Sequence, residues 1–204
     1  SVYGETLCGR YFIDFTLFLR YNIKEVYMKF KTQLYDEIAV KRAMTRLSYE
    51  IIERSPVLTN VVLIGIKTRG VPLAKIIKGN ILLNAGIDLP LYELDITYYR
   101  DDREGEPEVI ADLKKEQIEG KDVILVDDVL FTGRTTRAAI DAVLSVGRAS
   151  SIKLAVLIDR GHRELPIRAD FVGKNVPSSM KEKIVVHLNE IDGDTSVSIY
   201  DIAD

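Results

Sequence analysis

The sequence predicts an α/β fold with a mainly parallel central sheet flanked by helices. Three observations point there. Short apolar strands within Val61–Ile66, Lys121–Val126 and Ser151–Ile158 alternate with longer segments of helical periodicity, and that alternation builds parallel sheets. The strand runs are apolar at successive positions rather than at every second one, as expected for strands buried on both faces. Finally, Val123–Val126 leads straight into Asp127-Asp128, and a Thr132-Gly-Arg-Thr-Thr136 turn precedes the next helical pattern. The carboxyl ends of strands are where open α/β sheets bind ligands.

Composition bounds the rest. The chain has 204 residues, 47% hydrophobic and 29% charged, enough for one domain's core with a small addition. A net charge of −3 and a pI of about 5.6 exclude a global basic field for nucleic acid but leave room for a local patch. The single cysteine, Cys8, excludes an intrachain disulfide and a cysteine-based zinc site. No apolar run approaches the roughly 20 residues of a membrane helix. A soluble, intracellular, cytoplasmic protein is expected.

Residues 1–27 stand apart. They hold seven of the sixteen aromatic residues and the only cysteine. Asp14 and Arg20 interrupt what would otherwise resemble a signal-peptide core, and no small-residue cleavage site follows. Ordinary globular patterning starts at Met28. Residues 1–27 are therefore expected to be an upstream extension and 28–204 the folded domain; the alternative is an N-terminal helix packed on that domain.

The elements then follow in order. Asp36 is a candidate N-cap for a helix reaching about Arg54. Val40, Ala43, Met44, Leu47 and Ile51 form its apolar stripe, while Arg42, Thr45, Arg46 and Tyr49 share another face. Ser55-Pro56 ends it. Val61–Ile66 is a buried strand, Lys67–Gly70 a tight loop, and a helix with Pro72 in its first turn follows. Leu89–Thr97 is a strand. Arg100–Gly120, with eight acidic and four basic residues, is too long for a simple connection and is expected to be a mobile arm or lid. Lys121–Val126 is the central strand, Arg134–Val146 its helix, and Ser151–Ile158 another buried strand. Asp159–Lys174 is expected to be a basic loop region, before late strands at Ile184–Leu188 and Val197–Tyr200.

The Asp127-Asp128 pair carries the strongest chemical signal. A solvated loop pair is the plain alternative, and response-regulator acids also sit at a strand end. Here, though, a Thr-Gly-Arg-Thr turn and a helix follow. Backbone N–H groups, hydroxyls and a helix N-terminus at Thr132, Gly133, Arg134, Thr135 and Thr136 suit a phosphate. The two carboxylates cannot hold phosphate but suit sugar hydroxyls or a metal. Acids beside a phosphate cradle describe a ribose 5-phosphate. The loop Gly65-Ile-Lys-Thr-Arg-Gly70 imitates a Walker A loop but continues Val71-Pro72 instead of Lys-Ser/Thr, so it is not one. Lys67 and Arg69 suit a second anion, and the two anions together describe phosphoribosyl diphosphate. An ordinary strand–helix turn is the plain alternative for that loop.

At this point a resemblance becomes specific. Val123–Thr135 resembles the phosphoribosyl-diphosphate-binding motif of type I phosphoribosyltransferases. More narrowly, Met28–Asp204 is similar along almost its whole length to the bifunctional pyrimidine-operon attenuator/uracil phosphoribosyltransferase family. The carrying segments are Ala43–Leu47, Gly65–Gly70, Asp95–Asp102, the Asp-Asp motif, and Asp159-Arg-Gly-His-Arg-Glu-Leu-Pro-Ile-Arg-Ala-Asp170.

The resemblance implies a type I phosphoribosyltransferase fold with a small hood and a mobile β-arm, acting with Mg²⁺. It implies conversion of uracil and phosphoribosyl diphosphate to UMP and diphosphate. Asp127 and Asp128 would hold the ribose hydroxyls directly or through the metal. Lys67, Thr68, Arg69 and Gly70 would hold the diphosphate, and Arg100 would reach in when the arm closes. Asp159, Arg160, Gly161 and His162 would form the uracil region. A second implied activity is binding of pyrimidine-operon leader RNA, promoted by uridine nucleotides such as UMP or UTP. Thr45, Arg46, His162, Arg163, Arg168 and Lys174 match positions implicated in RNA contact, with Arg42 and Arg54 nearby. Residues 160–174 have a net charge of +2. One departure stands out: Tyr49 replaces the family's common histidine, and it can stack on a base but cannot become cationic. A homodimer or larger homo-oligomer is expected by analogy. The competing expectations are an RNA-binding regulator with a vestigial site and a transferase for another base.

Overall fold

Two faces of one sheet sort the apolar residues of this chain. The computed structural model describes residues 28–96 and 113–202. Its elements are β1 (Met28–Tyr35), α1 (Glu37–Glu53), a 3₁₀ turn (Leu58–Asn60), β2 (Val61–Ile66), α2 (Gly70–Ala85), β3 (Leu91–Leu94), α3 (Lys115–Ile118), β4 (Asp122–Leu130), α4 (Arg134–Val146), β5 (Ser151–Asp159), β6 (Phe171–Asn175), β7 (Glu182–His187), α5 (Asn189–Asp192) and β8 (Ser196–Ile202). The central sheet has the order β3-β2-β4-β5-β6, and every neighbouring pair is parallel. A smaller antiparallel sheet has the order β1-β8-β7.

Along β4, Val123 and Leu125 pack with Ala138, Ala139, Ala142 and Val143 of α4, whereas Ile124 and Val126 pack with Met44, Leu47 and Ile51 of α1 and with Ile77 and Ile81 of α2. Successive strand side chains point to opposite faces, so a continuously apolar run supplies both cores. The second core also takes in Ile184, Val186, Val197 and Ile199, which fixes the small sheet on the α1/α2 side. Helix α1 starts where expected: Asp36 accepts the Ala39 backbone N–H at 2.7 Å, satisfying one of the orphan donors of the first turn.

Four boundaries differ from the sequence expectation. The strand expected over Leu89–Thr97 is limited to Leu91–Leu94 among the described residues. β4 does not stop at Val126. Its pairing with β2 ends at Gly65↔Val126, but β5 keeps pairing with it to Leu130↔Asp159, so both aspartates lie within a strand that has lost one neighbour. The region Asp159–Lys174 is not all loop, because Phe171–Asn175 adds an edge strand beside β5. The long polar stretch also returns to the body before Gly120: Leu113 and Ile118 are buried, and α3 lies between them in part. Arg100 and the other residues of the expected arm up to 112, like residues 1–27, lie outside the described residues.

Candidate active site

β2 feeds α2 toward β3 while β4 feeds α4 toward β5, so the chain reverses its direction of winding between β2 and β4. A crevice at the carboxyl ends of the strands is expected at such a point. A cleft of about 450 Å³ opens there, lined by Lys67, Thr68, Arg69, Asp95, Ile96, Asp127, Asp128, Val129 and Thr135. The acid pair and the Lys67–Gly70 loop, 57 or more residues apart in sequence, therefore share one cavity. Within the loop, the Lys67–Thr68 peptide bond is cis.

Each aspartate folds back on the backbone that follows it. Asp127 Oδ1 accepts the Asp128 N–H at 2.9 Å, and Asp128 Oδ1 accepts the Val129 N–H at 2.7 Å. Burial pushes the Asp127 carboxyl well above the usual carboxylate range, and the neighbouring Asp128 charge pushes it further. Burial also raises Asp128, while the positive charge of Arg69 pulls against that rise. Two acids forced together in a partly dry strand hold their negative charge poorly until hydroxyls or cations arrive.

The phosphate turn is shaped more by backbone than by side chains. Gly133 has φ 93°, a left-handed conformation that suits glycine, and α4 starts immediately after it. The Thr132 carbonyl accepts N–H groups from Glu164 and Leu165 at 3.0 and 3.2 Å, which ties the turn to the segment after β5. Of the five residues expected to surround a phosphate, Thr135 lines the cleft. Thr136 is only 2% exposed, so its hydroxyl belongs to the core side. The exposed Arg134 pairs with Glu164 at 2.7 Å. Besides these side chains the turn offers the N-terminus of α4, whose first N–H groups have no intrahelical acceptor.

A second cavity of about 380 Å³ lies beside the first, lined by Asp159, Arg160, Gly161, His162, Asn175, Pro177 and Ser178. Gly161 and His162 both have positive φ, 79° and 58°, and Asp159 Oδ1 accepts the Gly161 N–H at 3.0 Å. The His162 ring contacts the Ser178 carbonyl and meets Phe131 edge-on at 6.1 Å. Arg160 is 6% exposed. It donates to Ser178 Oγ, Ser179 O and Glu182 O at 2.9, 2.9 and 2.8 Å, and stacks over Phe131 at 4.1 Å. Its side chain builds the cavity wall.

Residues 31–190 match the model of the phosphoribosyl transferase domain. The chain belongs to the phosphoribosyltransferase family. Within that family it is 57% identical over 169 residues to the protein named Bifunctional protein PyrR in Streptococcus pyogenes serotype M12, covering 83% of this chain and 96% of that one. It is 54% identical over 179 residues to the Bifunctional protein PyrR of Oceanobacillus iheyensis, covering 85% and 99%. These likenesses place the chain in the PyrR branch of the phosphoribosyltransferases. The fold is shared more widely. A hypoxanthine phosphoribosyltransferase from Staphylococcus aureus superposes with a TM-score of 0.65 at 22% identity over 83% of this chain and 92% of that one. One from Trypanosoma cruzi superposes at 0.62 and 16% identity, covering 85% and 98%. The expectation of a type I phosphoribosyltransferase fold is borne out.

Sequence reasoning missed several lining residues of this phosphoribosyltransferase site. Asp95 follows β3, and Asn175 ends β6; both stand at carboxyl ends of strands, a rule applied only to β2 and β4. Pro177 and Ser178 carried no signal. Phe131, which Arg160 covers and His162 touches, was readable only as an apolar residue before the turn.

The expected RNA-contact residues divide into two sets. α1 packs against β6, which brings Arg42, Thr45, Arg46, Tyr49, Arg54 and Lys174 to one side of the domain. Arg46 donates to the Val172 and Gly173 carbonyls at 3.0 and 2.6 Å and pairs with Glu50. Arg54 donates to Asp170 O at 2.7 Å and covers Phe171 at 4.7 Å, and Lys174 lies over Tyr35 at 5.3 Å. Thr45 bonds its own helix through Lys41 O, and Tyr49 donates to Asn84 at 2.7 Å. Arg42 and Arg168 are exposed. Arg163 is held by neighbouring groups of the fold. Its guanidinium reaches Ile167 O at 2.9 Å, Phe131 O at 2.7 Å and Gly161 O at 3.0 Å, and pairs with Asp159. It clamps the phosphate turn to the neighbouring cavity and is not a free surface cation. His162 likewise lines that cavity.

Proposed function

We propose that the protein transfers the phosphoribosyl group of phosphoribosyl diphosphate to uracil, releasing UMP and diphosphate, and that it also binds pyrimidine-operon leader RNA when a uridine nucleotide is bound. The observation that carries the transferase reading is the single cleft joining Asp127 and Asp128 to the Lys67–Gly70 loop. In the reaction, the bond from ribose C1 to the diphosphate oxygen breaks, a bond from C1 to the uracil ring nitrogen forms, and that nitrogen's proton leaves to solvent.

The residues fit the task. Departure of diphosphate leaves a cation-like ribose, so positioning and charge stabilisation do most of the work. Asp127 and Asp128 accept the ribose hydroxyls. Lys67, Arg69 and the loop backbone hold the diphosphate, and Thr135 with the N-terminus of α4 holds the 5′-phosphate. Uracil enters the cavity under Asp159–His162, where backbone groups and the Ser178 side read it. Arg100 would complete the diphosphate contacts. Among the described residues no cluster of three or more His, Cys, Asp or Glu could cage a metal. Two strand carboxylates at the cleft instead fit Mg²⁺, which keeps its waters and is held largely by substrate oxygens; when bound with the diphosphate it neutralises the leaving group.

The RNA reading rests on the α1/β6 side and on Arg168, which present Arg42, Arg46, Arg54, Lys174 and Tyr49 together. Such a face would bind through phosphates, with Tyr49 available for stacking. The deciding assay measures UMP formation from uracil and phosphoribosyl diphosphate with Mg²⁺, with hypoxanthine in a parallel arm. Turnover of uracil supports the reading; turnover of hypoxanthine alone, or of neither base, overturns it. Affinity for a leader transcript should exceed that for a scrambled RNA and rise with UMP; equal affinities overturn the regulatory part.

A further inference from the structure

The cleft contains a contact that the reaction chemistry does not by itself require. Arg69 is joined side-on to Asp192 of α5: Nη2 donates to Oδ1 at 2.8 Å and Nε to Oδ2 at 3.3 Å. This two-point geometry is the strong form of an arginine–carboxylate pair, because it fixes the plane of the guanidinium as well as its position. Asp192 is held in turn, since Oδ2 accepts the Leu188 N–H at 2.9 Å. Its side chain is 17% exposed and that of Arg69 34%, so the pair is partly shielded from water. The hydrogen bond from Arg69, and after it the Leu188 N–H, keep the Asp192 carboxyl below the usual range.

The pairing has a direction. A guanidinium carries five N–H donors in a rigid fork. Asp192 engages the Nε and Nη2 edge, leaving the Nη1 group outside that contact. Arg69 lines the same cleft as Asp128 and is close enough for its charge to act on that carboxyl. Without an anchor, a long arginine beside two buried carboxylates would collapse onto them and neutralise the groups that should meet ribose. With the anchor, its positive charge is kept at the rim, on the side from which a diphosphate enters.

We propose that Asp192 is a positioning residue for the diphosphate loop: it holds Arg69 away from Asp127 and Asp128 and presents the guanidinium to the entering diphosphate. This rests on assigning Lys67–Gly70 to the diphosphate. It makes the C-terminal segment part of substrate recognition, although no residue after Lys174 carried a site signal in the sequence.

The test is steady-state UMP formation by the full chain, with phosphoribosyl diphosphate and uracil varied separately. Asp192→Asn keeps an acceptor for the Leu188 N–H but removes the charge and the second oxygen. It should raise KM for phosphoribosyl diphosphate about tenfold, with KM for uracil and kcat changed by no more than about twofold. Asp192→Glu should recover part of the loss. Glu190→Gln is the control: Glu190 lies on the same helix and pairs with Lys75 at 3.3 Å, and its loss should leave all three constants unchanged. If Asp192→Asn leaves KM unchanged while Arg69→Ala raises it, the inference fails and the loop assignment stands. If Arg69→Ala also has no effect, the loop assignment fails with it. Equal losses in Asp192→Asn and Glu190→Gln would mean that α5 matters only as an anchor, which also overturns the proposal.

Discussion

Gly70 lies against Val126 so closely that a Cβ on it would stand 2.2 Å from the Val126 carbonyl oxygen. Val126 immediately precedes the acid pair, so this contact sets the gap between the diphosphate loop and the ribose carboxylates. Gly70→Ala must push α2 and its loop outward. We expect kcat/KM for UMP formation to fall by roughly two orders of magnitude, since a shift of about 1 Å in a positioned site costs on that scale. Stability should fall by about 1–3 kcal/mol from overpacking. Urea denaturation and initial rates measure the two effects; unchanged rates would dissociate the loop from the site.

The buried carboxyl of Asp127 is held above the usual range by burial and by Asp128. The fold therefore binds a proton that the unfolded chain releases, and the native state gains stability as pH falls through the raised value, completing the gain below the ordinary value of 3.8. Asp127→Asn puts a group that cannot ionise in the same place. It should abolish ribose recognition yet raise the thermal midpoint of the ligand-free protein by about 2–4 °C, of order 1 kcal/mol. The difference between variant and parent should shrink as pH falls. Asp122, Glu182 and Asp192, whose carboxyls are lowered, act in the opposite sense in both proteins and cancel in that difference. A less stable variant at pH 7 would contradict the burial argument.

Arg160 has a wall-building role. Arg160→Lys supplies a charge but neither the fork nor the plane that covers Phe131. Ser178, Ser179 and Glu182 would lose donors inside a dry wall, at about 1–3 kcal/mol. KM for uracil should rise more than KM for phosphoribosyl diphosphate, because the cavity of Asp159–Ser178 is the part deformed. Denaturation with separate substrate titrations would show this, and equal changes in both KM values would count against it.

Charge reversals separate the two activities. Arg168→Glu and Arg42→Glu change exposed cations, so they should weaken leader-RNA binding and reduce its salt slope by about one each while UMP formation stays within twofold. Arg163→Glu should instead damage UMP formation, because that guanidinium holds Phe131 O and Gly161 O together. Filter binding across a salt series, alongside the enzyme assay, provides both readouts; intact catalysis in Arg163→Glu would restore it to the RNA face.

Much of the architecture was readable one-dimensionally. Asp36 capping α1, the apolar runs of β2, β4 and β5, and the helix from Arg134 depend on spacing, propensity and burial, which act locally. The acid pair and the Lys67–Gly70 loop were readable for the same reason: each is a strand end followed by a turn. β6 was hidden because it is a short edge strand within a charged segment, carrying Gly173 and Lys174. The end of β4 was misplaced because its last four residues are held by β5 alone, and no local pattern reports which neighbour has left.

What the sequence determined by itself was the set of chemical groups and the sheet that carries them. Tertiary structure alone decided which charges are available. Arg163, Arg168 and Arg69 look equivalent along the chain, as cations in loops. In space one is bound by five neighbouring groups, one is exposed, and one is oriented by a carboxylate 123 residues later in the chain. A guanidinium's function depends on its partners and its desolvation, and both are set by which distant backbone carbonyls and carboxylates the fold places beside it.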